Sequence, residues 1–315
     1  MKKKQLLAVA VIVSVVVGIS SCNNNEFETP PSQRTEVLFS TNIETRSPGL
    51  RASDNTWGTL DEIGIYMYTA VDTEVVEEVQ NIPYFTEAGG ETGSFIPKNT
   101  VIYFPDNGDK VRFMAYYPYL NSVSANNDVF NVDVSDQTSQ PDIDLLYSFN
   151  TTAEYDKTVS GKKVALVFTH QLTKVYVHVK ADEGLTNSEI QNVTTSFLGF
   201  NTKANFDLAA GSLSDPSESQ PISLKQISTE DTYAASFEAI VLPVTDVSSA
   251  QILFDLNNGD EGQSIASDKF TWNFDQPLLP STKYTFNVKI KRSGIVVEAT
   301  ITPWINGGDK EVTAE

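Results

Sequence analysis

The chain has 315 residues and a single cysteine, Cys22. No disulfide can form within it, and no set of thiolates can hold a metal. Histidine is almost as scarce, with only His170 and His178. On one unbroken strand this pair would share a face roughly 26 Å apart, too far to ligate one ion. The sequence also lacks a Gly-x-Ser-x-Gly elbow, a phosphate-binding glycine loop and a His-Glu-x-x-His pair. Basic residues are few, with 22 Lys and Arg against 41 Asp and Glu and a net charge of −19. Such a balance argues against nucleic acid and against anionic headgroups held by a basic patch. The acidic turns at Asp106–Asp109 and Asp255–Glu261 do not have the spacing of a calcium-binding loop, and turns favour Asp, Asn and Gly for backbone reasons. With so many carboxylates, chance pairing is expected, so no acid pair is evidence for hydrolysis. No catalytic, cofactor-binding or metal residue is assigned, and an enzyme is not expected.

What the chain does have begins at its N-terminus. Lys2, Lys3 and Lys4 precede the apolar run Leu6–Ile19, and Ser20-Ser21-Cys22 closes it. A basic start, an apolar middle and small residues at the cut make a secretory signal over residues 1–21. The run is shorter than the roughly 20 residues of a membrane-spanning helix. Cys22 stands where a lipoprotein signal places its diacylglyceryl acceptor; the plainer alternative is a secretory signal with an incidental cysteine. Residues 22–34 are polar and contain Pro30-Pro31, so they read as a tether. The remaining length is more than most single cores use, which predicts two domains.

Period-two alternation recurs along the rest of the chain, without long helical stripes. Ile63, Ile65 and Met67 alternate with Gly64, Tyr66 and Tyr68, and Val175, Val177 and Val179 with Tyr176 and His178. Gly89-Gly90 and Asp106-Asn107-Gly108-Asp109 punctuate the runs as turns. Many short strands with such turns predict a β-sandwich architecture. A short helix is expected around Ser188–Asn192. The aromatic cluster Phe113, Tyr116, Tyr117 and Tyr119 fits a sandwich core better than a carbohydrate platform. The last hairpin is the most regular: Tyr284, Phe286, Val288 and Ile290, a turn at Lys291–Gly294, then Ile295, Val297, Ala299 and Ile301 before Pro303-Trp304. Proline at its end suits a strand at a sheet edge.

One further strand stands out. Over residues 35–46, Val37, Phe39 and Ile43 form one face with Thr41 between them, and Arg46 then precedes Ser47-Pro48-Gly49. A protease could enter at that break. Two readings stand side by side: an ordinary first strand that ends in arginine, or a strand removed by cleavage to leave a trench that another molecule's strand fills. Because trench and donated strand are different surfaces, the second arrangement propagates as a filament.

In order along the chain come the signal ending at Cys22, the Val37-Leu38-Phe39…Thr45-Arg46 strand and Trp57-Gly58…Asp61-Glu62-Ile63-Gly64-Ile65-Tyr66. Phe168-Thr169-His170-Gln171-Leu172-Thr173-Lys174-Val175, Leu279-Pro280-Ser281-Thr282-Lys283-Tyr284-Thr285-Phe286 and Ile301-Thr302-Pro303-Trp304 follow. With this series the chain resembles the fimbrillin family of Bacteroidales, the lipoprotein-derived subunits of type V pili. The resemblance implies two transthyretin-like β-sandwich domains in tandem, expected at 47–162 and 163–315. It also implies a lipid on Cys22 in the outer membrane, and removal of the first strand by an arginine-specific protease between Arg46 and Ser47. Other pilus subunits would join by strand insertion, with Ile295, Val297, Ala299 and Ile301 in the donor strand, and an adhesion target is implied at the cell surface. The alternative role is an uncleaved surface lipoprotein, either a pilus anchor or a monomeric glycan- or protein-binding adhesin. Removing residues 1–46 takes away five basic and four acidic residues and leaves 17 against 37, a charge of −20 in place of −19. Processing would therefore act on strand pairing rather than on charge.

Overall fold

The computed structural model describes residues 34–44, 56–72, 74–76, 78–123, 129–159, 161–230, 232–256, 269–291 and 294–304, with the backbone alone at 298, 299, 302 and 303. Cys22, Arg46 and Ser47 lie outside the described residues. The described chain is all-β apart from short helical turns.

The first group of strands is β1 (Leu38–Ile43), β2 (Glu62–Thr69), β3 (Ile82–Thr86), β4 (Thr92–Pro97) and β5 (Val111–Tyr117). β6 (Val129–Asp133) leaves this group; β7 (Leu146–Phe149) and β8 (Lys163–His170) return to it. Seven of them pair in the order β1-β4-β3-β2-β5-β7-β8 and close into a barrel. This corrects the expected sandwich for the first half. The physical reason is β1, which is bonded on both edges: antiparallel to β4 and parallel to β8. β8 belongs to this barrel, and Val164, Leu166 and Phe168 fill its core, so the barrel extends beyond residue 162, where the first domain was expected to end.

The remaining strands are β9 (Thr173–Ala181), β10 (Thr194–Leu198), β11 (Asn201–Asp207), β12 (Ser212–Ser219), β13 (Ile222–Ser223), β14 (Lys225–Ile227), β15 (Ala235–Val241), β16 (Gln251–Asp255), β17 (Lys269–Asn273), β18 (Thr282–Lys291) and β19 (Gly294–Pro303). They form a five-stranded sheet β14-β15-β9-β18-β19, a four-stranded sheet β13-β10-β16-β17 and a three-stranded sheet β12-β11-β6. β19 lies at an edge, as its terminal proline suggests. The helix expected near residue 188 is one 3-10 turn, Asn187–Ile190, where the Glu189 carboxylate accepts from the Thr186 N–H at 2.7 Å.

Two apolar cores result, and β2 and β5 serve both. Ile63, Ile65, Met67, Phe113, Ala115 and Tyr117 point into the barrel core. Tyr66, Tyr68, Met114 and Tyr116 face the other way, into the core of the later sheets. Alternation in these strands thus separates one interior from another, not interior from water. Gln137 ties the halves together. Its amide donates to the Val134 and Ile240 carbonyls at 2.6 and 2.8 Å, and its oxygen accepts from the Ile240 N–H at 2.9 Å.

Candidate functional site

The residues of β1 alternate Leu38-Phe39-Ser40-Thr41-Asn42-Ile43, a pattern of aromatic and β-branched side chains that suits a pleated strand. Its inward face is fully buried: Val37, Phe39 and Thr41 are 1% exposed and Ile43 is 3%. On one side Phe39 pairs with Phe95 and Thr41 with Gly93; on the other Phe39 pairs with Val164 and Ile43 with Phe168. The ladder runs on past both ends of the strand. The Val37 N–H donates to the Ile102 carbonyl at 2.9 Å, and the Phe104 N–H to the Thr35 carbonyl at 2.9 Å. The Glu44 N–H donates to the Phe168 carbonyl at 2.8 Å.

The walls of the slot are specific. Phe39 meets the rings of Tyr84 and Phe113 edge to face, at 5.3 and 5.2 Å. The Thr41 hydroxyl donates to the Gly93 carbonyl at 3.4 Å. Gly93 has no room for a side chain, because a Cβ there would lie 2.5 Å from the Phe95 ring and 2.7 Å from Thr41 Oγ1. The Tyr84 hydroxyl accepts the Ile102 N–H at 2.9 Å. Burial pushes this phenol up from 10.0 to about 12, against the opposing pull of that hydrogen bond. Burying Val37, Phe39 and Ile43 is worth about 1.5–3 kcal/mol each, or roughly 5–9 kcal/mol for the face.

A cavity lies at each end of β1. At the Ile43 end, about 280 Å³ is enclosed by Ile43, Trp57, Asp61, Tyr117, Asp144 and Lys174 among others. Trp57 packs against Phe95, Tyr117 and Phe168, and the Gly58 N–H donates to Asp61 at 2.6 Å. Burial holds the Asp61 carboxyl above the ordinary carboxylate range, opposed by the hydrogen bonds from Gly58 and Tyr117. The buried Lys174 ammonium donates to Gln140 at 3.1 Å and pairs with Glu238 at 2.8 Å. At the other end an open cleft of about 720 Å³ is lined by Arg34, Tyr103 and Asp106. There the Arg34 guanidinium sits 5.8 Å from the Tyr103 ring centre and 4.0 Å from Asp106.

The strand expected to act as donor is β19. Its register with β18 sets Ile301 against Tyr284, Ala299 against Phe286, Val297 against Val288 and Ile295 against Ile290. Ile295, Val297 and Ile301 are half-buried on the second core. Trp304 closes the strand, buried against His170, and its N–H donates to the Ser281 carbonyl at 2.8 Å.

The two histidines do not share a strand. A break at Gln171-Leu172 puts His170 at the end of β8 and His178 within β9, which corrects the spacing assumed for one continuous strand. His170 Nδ1 lies 3.0 Å from Asp144, and His178 Nδ1 lies 2.9 Å from the Ser236 hydroxyl. Among the described residues no group of His, Cys, Asp or Glu is placed to hold a metal. In the Asp106–Asp109 turn the side chains serve the turn itself: the Asn107 amide donates to Asp109 at 2.7 Å, and the Asp109 N–H to Asn107 at 3.0 Å. Phe113, Tyr116 and Tyr117 are buried in the cores rather than displayed as a platform. Sequence reading placed Thr41 on the same face as Phe39 but missed Gly93 and the His170–Trp304 stack. Thr41 carried a signal, since it falls in phase with Val37, Phe39 and Ile43; the other two depend on distant partners.

These features define an all-β protein with two cores whose first strand is bonded on both edges. The chain matches the fimbrillin-like family over residues 51–304, a span that starts after β1 and ends at Trp304. It is 31% identical over 317 residues to a candidate fimbrium subunit, Fim1C, of Bacteroides uniformis, covering 99% of this chain and 100% of that protein. A candidate fimbrium tip subunit of Bacteroides ovatus, also named Fim1C, is 25% identical over 198 residues, 56% of this chain and 35% of that one. A solved structure of a candidate cell adhesion protein from Bacteroides uniformis, 29% identical, gives a TM-score of 0.69 over 87% of this chain and 99% of that one. The chain belongs to the fimbrillin-like family.

Proposed function

We propose that the chain is the precursor of a structural subunit of a cell-surface fimbria. It is exported as a lipoprotein anchored in the outer membrane through Cys22, cut by an arginine-specific protease between Arg46 and Ser47, and joined to other subunits by strand insertion. The observation that carries this reading is β1 itself. It is bonded on both edges, closes the barrel, and is followed by the segment that holds Arg46. Loss of one strand would expose an apolar slot and two rows of backbone donors and acceptors, which a foreign strand satisfies in one step. The terminal strand with Ile295, Val297, Ala299 and Ile301 is the donor, since it already lies at a sheet edge.

The name of the Bacteroides ovatus relative supports a second reading, a fimbrium tip subunit. The test of both is the N-terminus and mass of the protein taken from its native surface. A Ser47 start in a detergent-resistant ladder is expected, with Arg46→Ala held as a monomer. Ladders built by Arg46→Ala would overturn the assignment of the cut. Ladders capped by a single copy would select the tip role.

A further inference from the structure

The slot beneath β1 also says which strand it takes; this inference rests on the strand-insertion reading and deepens it. Four inward positions follow one another, occupied by Val37, Phe39, Thr41 and Ile43. The second is a pocket shaped for an aromatic ring, walled edge to face by Tyr84 and Phe113. The third is bordered by Gly93, its partner across the ladder, where the Phe95 ring and Thr41 Oγ1 crowd so close that even a methyl group on that glycine has no space. An incoming strand must therefore read aliphatic, aromatic, small, aliphatic at alternate positions, because close-packed interiors penalise both voids and overpacking.

The chain's own terminal strand does not read this way. Ile295, Val297, Ala299 and Ile301 match β1 at the first, third and fourth positions, but they bring a valine to the aromatic pocket. Run in the opposite direction, the same face brings Ala299 there. Sliding the register does not help: from residue 291 to 315 no position in this phase carries an aromatic side chain. Trp304 lies in the other phase, between Thr302 and Asn306. We propose that the groove left by β1 takes a strand from a different chain, one with an aromatic residue at its second inward position. A second copy of this chain leaves the Tyr84–Phe113 pocket unfilled, so this subunit's neighbour on the groove side is not another copy of itself.

The test uses the full-length precursor. The double variant Phe39→Val with Thr41→Ala gives β1 the last three inward residues of β19, valine, alanine and isoleucine, and its urea midpoint should fall well below that of the parent. The same precursor, nicked after Arg46, is then challenged with labelled peptides spanning 35–46, 35–46 with Phe39→Val, and 294–305. Uptake is read by native mass spectrometry. The first peptide should enter, and the other two should bind at least about tenfold more weakly, since a void left in a packed site is costly. Entry of the 294–305 peptide as readily as the 35–46 peptide would overturn the proposal, as would an unchanged midpoint in the double variant. A surface protein that begins at Cys22 would defeat the processing reading instead, while the midpoint still decides whether the slot selects an aromatic ring.

Discussion

His170 and Trp304 lie face to face, with ring centres 3.8 Å apart and planes 10° from parallel. His170 ends β8, the strand that runs parallel to β1, and Trp304 ends the pairing of β19. Asp144, on the wall of the cavity at Ile43, lies 3.0 Å from the same imidazole. The end of β8, the strand beside β1, and the end of β19 therefore meet at one histidine.

Trp304→Ala should free the end of β19. The expected cost is about 3–5 kcal/mol, the usual loss for a buried Trp replaced by Ala. Amide hydrogen exchange of residues 295–302 should rise well above that of β9 and β15 in the same sheet, with Trp304→Phe recovering much of the protection. Unchanged exchange in the alanine variant would show that the stack does not hold the strand.

Gly93→Ala should destabilise the barrel by about 1–3 kcal/mol, because its methyl group overpacks the slot. Adding Thr41→Ala relieves only part of that loss, since the Phe95 ring stays 2.5 Å from the new Cβ. Urea midpoints of the four members of this cycle check the claim, and full recovery in the double variant would remove Phe95 from the account.

Tyr84 gives the slot a signature at high pH. Its folded value, about 12, lies above its ordinary 10.0, so the folded chain holds the proton more tightly than the unfolded one. The stability this confers is fully present below pH 10 and is lost as pH rises toward 12. Departure of β1 uncovers the ring and should bring its ionisation back toward 10. Phenolate absorbance, taken as the difference between the parent and Tyr84→Phe, should shift downward when β1 is displaced. A titration that does not move would mean that β1 does not shield Tyr84.

Much of this was legible in the residues. The phases of β1, β18 and β19 follow from alternation alone, and the hairpin register agrees residue by residue from Tyr284–Ile301 to Ile290–Ile295. Neighbours across the barrel were not legible. Periodicity says which face of a strand is buried but not which strand lies beside it, and β1 bonds to segments beginning at Thr92 and Lys163. Alternation alone leaves the Tyr66 and Tyr116 face open to water or to a second layer; the structure packs it into a second core, to which β6, paired with β11, contributes. The polar pieces of the site, Thr41 on Gly93 and His170 on Asp144, depend on contacts across 52 and 26 residues.

The double-edged pairing of β1 has a kinetic meaning. Cutting one peptide bond beyond Ile43 would leave every rung of both ladders in place, along with the whole buried face. The severed strand would become a tightly held ligand, no longer tethered at that end, and it would leave only by slow escape or by step-by-step displacement from one end of the slot. Processing would then set a clock rather than open a door: the protease would license the subunit, and the arrival of a competing strand would decide when it is used.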